Sequence, residues 1–370
     1  MSSALPEPQS RLFLTCDLVG STRFKERNEK WITAFLDFYS EFPAAFGRAL
    51  RKFGDAKDLE PQLWKAVGDE LIFEVAVTSE ADVIVSISAW LAAMSEYDDT
   101  RRKKGAITRE TDTGPKGDTG KHRSDRAPEG NGEENSDYLL AQGSAFLAVT
   151  PWPNRKVGAR LRPTDDAGRS PFGAYVPEEA GIVESSKAVE ANDLSEYFYD
   201  YLGPSFDTGF RVSTLRSPRH FTLSLEVAWI IAQARTLKQS MDLALTWLGS
   251  HDLKGVWGSR PYPVYAVDRG RQPSGSDPAS VGHAYDDALW AVHGVDDRGC
   301  AHIIALGEAA SLQRETPVNI YLESAAHAPF RQRRVELEAA VLEENQSREL
   351  YVETSGAVVG LALDDPEAMV

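Results

Sequence analysis

Cysteine is nearly absent from this chain: among 370 residues there are two, Cys16 and Cys300. So few thiols, so far apart, exclude a disulfide framework and make a reducing, cytoplasmic compartment the expectation. Long apolar runs are missing too. Nowhere do about 18 apolar residues follow one another, as a membrane-spanning helix requires. The opening MSSALPEPQS has neither the basic nor the apolar region of a secretory leader, so a protein neither exported nor membrane-embedded is expected. Positive charge is in deficit: 40 Lys and Arg stand against 56 Asp and Glu, a formal net charge of -16. Such a field repels nucleic acid and anionic lipid, although a small anion that brings its own metal ion remains compatible with it. The seven histidines include no pair at helical ligand spacing, and with no cysteine cluster a zinc site is excluded. No G-x-S-x-G elbow is present, which removes the commonest serine-hydrolase pattern. Gly114 to Lys121, GPKGDTGK, resembles a phosphate loop only superficially, because Pro115 stands where its first glycine belongs and neither Ser nor Thr follows Lys121.

What is present is a globular composition, 42% hydrophobic, with room for one large domain or two smaller ones. Arg11 to Val19 reads as a strand, and Gly20-Ser21-Thr22 offers a turn and a helix start. Trp31, Phe35, Phe38, Phe42, Phe46 and Leu50 recur every three or four residues, which places them on one face of a long helix, with a kink expected at Pro43. Gln62 to Val67 and Glu70 to Val77 read as a hairpin closed by Gly68-Asp69. A helix is expected over Glu80 to Tyr97, followed by a mobile insertion over 98–137 that is rich in Gly, Thr and charge and poor in large apolar side chains. Strands are expected at GSAFLAVTPW, Tyr197 to Gly203, His220 to Leu225 and Pro263 to Val267, the last paired across Leu253-Lys254-Gly255. Helical segments are expected at Pro204 to Leu215 and Val227 to Leu237. The division implied is a tail over 1–10, a domain over 11–268, a linker over 269–282 and a small α/β unit over 283–370. In that unit strands are expected at Ala288 to Val295, Asn319 to Leu322 and Leu350 to Thr354, with a helix over Arg331 to Glu344.

Two carboxylates stand out, because Asp17 and Asp69 each end a strand and each is flanked by small residues that let a ligand approach. Paired oxygen donors of this kind suit one or two Mg2+ or Mn2+ ions carrying a triphosphate. Taken singly, Asp17 also reads as a helix cap and Asp69 as a turn residue.

Together, Asp17-Leu18-Val19-Gly20-Ser21-Thr22 and Lys65-Ala66-Val67-Gly68-Asp69 resemble the class III nucleotidyl cyclases. Downstream, Asp200, Asp207 and Arg211 fall at the spacing of that family's base-reading residue, Asn and Arg, with Asp207 in place of the Asn. Leu253-Lys254-Gly255 resembles the family's late Lys-Gly hairpin. The resemblance covers about residues 10 to 268 and implies an α+β fold with an antiparallel sheet flanked by helices. It implies two divalent ions per site, Mn2+ or Mg2+, held by Asp17, Asp69 and the Leu18 carbonyl. Triphosphate would meet the amides of Gly20, Ser21 and Thr22, together with Lys254. Lys65 and Asp200 would read the base, Asp207 would orient the ribose, and Arg211 would stabilise the transferring phosphoryl group. The family's sites are shared between subunits, which implies a head-to-tail homodimer. The Gly-Pro-Ser-x-Asp-x-Gly-Phe-Arg segment, the insertion and the GSAFLAVTPWPN strand look most like the pyrimidine cyclases of bacterial anti-phage Pycsar systems. That likeness implies UTP as substrate and cyclic UMP as a messenger for a separate effector. The same Lys/Asp pair matches adenylyl cyclases, so ATP is the alternative. A cytidylate cyclase and a catalytically degenerate nucleotide-binding homologue follow.

Overall fold

The computed structural model describes residues 5–53, 59–112, 139–160, 197–236, 243–270, 292–313, 315–316 and 318–363. The chain folds as α+β around one eight-stranded sheet. Its strands are β1 (Gln9–Leu18), β2 (Gln62–Val67), β3 (Glu70–Val77), β4 (Ala141–Thr150), β7 (His220–Leu223), β8 (Leu245–His251), β9 (Tyr262–Asp268) and the two-residue β10 (His293–Gly294). The spatial order is β10-β8-β9-β7-β4-β1-β3-β2, and β5 (Arg155–Arg160) with β6 (Tyr197–Leu202) forms a separate two-stranded ribbon. Every neighbouring pair in the main sheet is antiparallel except β4 with β7. Helices α1 (Ser21–Arg27), α2 (Trp31–Lys52), α3 (Glu80–Asp112), α4 (Pro204–Ser213), α5 (Leu225–Thr236), α6 (Asp297–Ser311) and α7 (Ala328–Leu363) surround it.

β1 alternates apolar residues on one face with Arg11, Thr15 and Asp17 on the other, where Phe13 alone joins a second apolar cluster. Leu12, Leu14 and Cys16 face the larger core with Phe38, Phe42 and Phe46 of α2 and Trp90 of α3. Phe13 faces the other way and packs with Ile72, Phe146, Tyr201 and Phe206 beneath α4 and β6. Five of the six apolar residues that define the face of α2 are buried, and Trp31 packs against them; Pro43 lies inside the unbroken helix. The seat of α4 depends on one glycine. A Cβ on Gly209 would lie 2.3 Å from the Phe146 ring, so only a residue without a side chain lets the helix approach β4 this closely.

Four expectations are corrected. The helix from Glu80 does not stop at Tyr97 but continues to Asp112, into the segment read as a mobile insertion. Two of the charges at that segment's start are paired rather than solvated: Arg101 binds Asp37 and Glu41 of α2, and Asp98 accepts the Ala141 amide and binds Arg269. Residues 113–138, including all of GPKGDTGK, lie outside the described residues. The tail read over 1–10 is partly structured, since β1 begins at Gln9 and the Leu5 amide donates to Asn345 of α7. In the segment read as an appended unit, neither Asn319 to Leu322 nor Leu350 to Thr354 is a strand. Val318, Ile320, Leu322 and Phe330 belong to the main apolar core, so the apolar run at Asn319 to Leu322 signalled burial rather than sheet, while Leu350 to Thr354 lies within α7. Finally, the partner of β9 is β8, whose Leu245–His251 span went unread; Lys254 lies in the turn after it.

Candidate active site

The register of β1 on β3 builds the first half of the site. Its last pair is Cys16 with Leu71, and one further step brings Asp17 level with Glu70, beside Asp69 at the hairpin tip. Gly68 makes that tip: its φ of 64° is the left-handed turn conformation a side chain disfavours, and its carbonyl accepts the Tyr39 hydroxyl. The Asp69 carboxyl stands within hydrogen-bonding reach of Asp17, and Lys25 of α1 approaches Asp69 at 3.9 Å. Leu18 is buried at the strand end, Gly20 (φ 69°) precedes α1, and Ser21 is buried while Thr22 is exposed.

Three groups that the sequence reading did not single out complete this end. Gln142 of β4 donates to Asp17 Oδ2 at 2.9 Å. Arg216, in the turn between α4 and β7, donates to the same oxygen at 3.0 Å and to Glu70 Oε1 at 2.6 Å. Glu70 has a faint sequence signal, since it adjoins Asp69, and Gln142 and Arg216 have none. Burial pushes the carboxyls of both Asp17 and Glu70 above their ordinary range, and the Arg216 guanidinium pulls them back. A cation is therefore what this edge requires electrostatically. Asp17 and Asp69 are hard oxygen donors that fit Mg2+ or Mn2+. Among the described residues no three or more His, Cys, Asp or Glu side chains are arranged to hold a metal ion. An ion here would take its remaining ligands from backbone carbonyls, water or a phosphate, which is the usual habit of Mg2+.

The second half forms on β2 and β6. Lys65 and Asp200, 135 residues apart in sequence, meet with Nζ 2.6 Å from Oδ1. Asp200 is fixed by the Tyr201 amide at 2.7 Å, and Lys65 Nζ lies 4.5 Å from the Trp64 ring centroid and 5.4 Å from that of Phe198. The expected pair is thus brought together in one chain.

Asp207 and Arg211 lie one turn apart on α4, both exposed, with no hydrogen bond or ion pair to either side chain among the described residues. Asp207 lines a cavity of about 190 Å³ with Glu226, Trp257, Tyr262 and Asn319, and Gly255, next to Lys254, lines it too. Lys254 itself is exposed. Among the described residues no hydrogen bond or ion pair joins it, Asp207 or Arg211 to the carboxylates of the sheet end.

No protein-family model and no curated relative matches the chain. Solved structures similar to it include the adenylyl cyclase CyaB of P. aeruginosa, at 14% identity over 73% of this chain and 98% of that one, TM-score 0.39. The guanylate cyclase domain of RhGC from Catenaria anguillulae, solved with GTP, is 10% identical over 71% of this chain and 98% of that one, TM-score 0.38. A bacterial light-regulated adenylyl cyclase is 10% identical over 72% and 94%, TM-score 0.40.

Proposed function

We propose that the chain is a nucleotidyl cyclase that converts UTP to 3′,5′-cyclic UMP and pyrophosphate, acting in the cytoplasm as a messenger synthase in bacterial anti-phage defence. The observation that carries the catalytic reading is the convergence of Asp17 and Asp69 at one sheet end, where two partly buried carboxylates call for a cation. Divalent ions bound there supply a lowered pKa for the attacking 3′-hydroxyl and charge neutralisation for the triphosphate. Asp17, Asp69 and the Leu18 carbonyl would hold them, with Gln142 orienting Asp17. The amides following Gly20, at the start of α1, and Lys254 would bind phosphate oxygens. Arg211 stabilises charge on the transferring phosphoryl group, a contribution that reaches roughly 10³-fold in phosphoryl transfer. Asp207 orients the ribose. Lys65 donates to the uracil O4 and Asp200 accepts from N3–H.

A head-to-tail homodimer with shared sites is the assembly this reading requires. It is supported by what each half lacks among the described residues: no hydrogen bond or ion pair holds the exposed Asp207 and Arg211, and none joins the carboxylates to Lys65 or Asp200. Apolar surface lies alongside. The edge strand β2 exposes Leu63 and Val67, and α2 exposes Ile32, Leu36 and Tyr39 at spacings of four and three, a stripe that a second copy can cover.

Incubation of the full chain with ATP, GTP, CTP and UTP, each with Mn2+, followed by mass identification of the product, tests the proposal. Cyclic UMP as the dominant product is expected, and preference for ATP instead selects an adenylyl cyclase. The Asp207 that stands where the resembled segment carries Asn favours one other reading, a nucleotide-binding homologue without catalysis. Retained nucleotide binding with no cyclic product from any of the four would select it.

A further inference from the structure

Arg216 makes the shortest contact at the carboxylate end, 2.6 Å to Glu70, and has no part in the chemistry above. Its backbone is fixed by the turn after α4, where its amide donates to the Ser213 carbonyl. Its guanidinium reaches back with one nitrogen to Glu70 at 2.6 Å and another to Asp17 at 3.0 Å, and its side chain is only 14% exposed. Three carboxylates, those of Asp17, Asp69 and Glu70, gather here; Arg216 bridges two of them, and Lys25 stands 3.9 Å from Asp69. The two anchors are not equivalent. Glu70 gives the shorter contact, whereas Asp17 Oδ2 is shared with Gln142, which would keep the carboxylate oriented if the arginine left it.

We propose that Arg216 is a built-in cationic placeholder: it bridges Asp17 and Glu70 when no metal is present, and a divalent ion entering at Asp17 displaces it from that carboxylate while Glu70 keeps it tethered. The proposal rests on the metal reading of Asp17 and Asp69. Its consequence is that the free chain binds divalent ions weakly, because each ion must displace one cation and then sit near it. A nucleoside triphosphate relieves that repulsion with its own negative charge, so metal and nucleotide bind together rather than metal first.

The test measures Mn2+ binding to the full chain without nucleotide, by the electron paramagnetic resonance signal of the free ion, with melting curves to establish folding. Arg216→Gln is expected to tighten Mn2+ binding at least about tenfold, since a like charge is removed from a partly buried site. Arg216→Lys, which keeps the charge, stays within about threefold of the wild type. Arg216→Met keeps the aliphatic stem and takes the place of the Gln variant if that one does not fold. Asp17→Asn abolishes binding. Binding that is unchanged or weaker in a folded Arg216→Gln or Arg216→Met chain, while Asp17→Asn still abolishes it, overturns the placeholder and leaves the metal site standing. Mn2+ binding that is absent from the wild type and also from a folded Arg216→Gln or Arg216→Met chain, or that survives Asp17→Asn, overturns both.

Discussion

The sheet end that carries Asp17, Asp69 and Glu70 and the outer face of α4 that carries Asp207 and Arg211 are both charged, yet their charges are satisfied differently. At the sheet end Arg216, Gln142 and Lys25 meet the carboxylates, and burial sets the electrostatics. On α4 the aspartate and the arginine stand in solvent without partners among the described residues. A partly buried cluster is pre-organised by its own chain, whereas exposed, unpaired charges one helical turn apart gain their worth only when something docks on them. The contrast is what a site assembled from two copies of one chain predicts, and the following experiments are ways to break it.

The largest effect belongs to the buried half. Asp17→Asn or Asp69→Asn should lower cyclisation by at least about 10³-fold while shifting the melting temperature little, because Asn is tolerated at a strand end or turn. Steady-state rates with Mn2+ and a melting curve check it, and turnover near that of the wild type places the metals elsewhere. Next comes the exposed half. Arg211→Ala alone should be nearly inactive, but mixed with Asp69→Asn chains it should recover roughly a quarter of wild-type activity. One site of each heterodimer then holds both intact groups, and random pairing makes half the dimers heterodimers. No recovery at any ratio between chains shown to exchange removes the shared site.

The two halves were also unequally legible in the sequence. Asp17 and Asp69 could be read because each ends a strand whose alternation and hairpin turn are local signals, and the register of two neighbouring strands then brings them together. Lys65 and Asp200 were paired only through the resemblance to the cyclase family, since no local pattern announces a bridge across 135 residues. Arg216 was invisible: it follows α4 in an ordinary turn, and its role depends on how Gly209 seats that helix against Phe146. The continuation of α3 past Tyr97 was missed because its charged residues look like solvated sequence until Asp37, Glu41 and Arg269 are seen opposite them. The same holds at the C-terminal side, where short apolar runs looked like strands and proved to be extended core-filling chain and helix.

A smaller effect concerns the base. Uracil and adenine can both satisfy a lysine donor and a carboxylate acceptor, so discrimination depends on the space around the Lys65–Asp200 bridge, which Trp64 and Phe198 flank. UTP should be cyclised at least about tenfold faster than ATP with Mn2+, and Lys65→Ala or Asp200→Ala should lower that ratio. Sites built on specific hydrogen bonds can discriminate far more strongly than this. Competition between the two nucleotides measures it, and a wild-type preference for ATP reassigns the substrate.

The smallest effect sharpens the contrast with a carboxylate buried without a cation. Glu226 opens α5, lines the cavity behind α4 and accepts the Asn319 amide; its burial pushes its pKa up to about 7. Among the described residues no arginine or lysine offsets that burial, unlike at Asp17 and Glu70, where Arg216 does. In the unfolded chain the same group titrates at about 4.3. Between these values the folded state holds a proton that the unfolded state has released, so the contribution is fully present below the unfolded value and is lost as pH rises through about 7. The loss is on the order of 3 kcal/mol by pH 8, less whatever structural relaxation recovers. Glu226→Gln has no proton to lose. Its melting temperature relative to the wild type should therefore rise by a few degrees between pH 5 and pH 8. Because the rest of the chain titrates equally in both proteins, the difference between the two curves isolates this one group. Parallel curves across that range would mean that Glu226 ionises inside the fold without penalty, and that burial alone does not set the carboxylates of this protein apart.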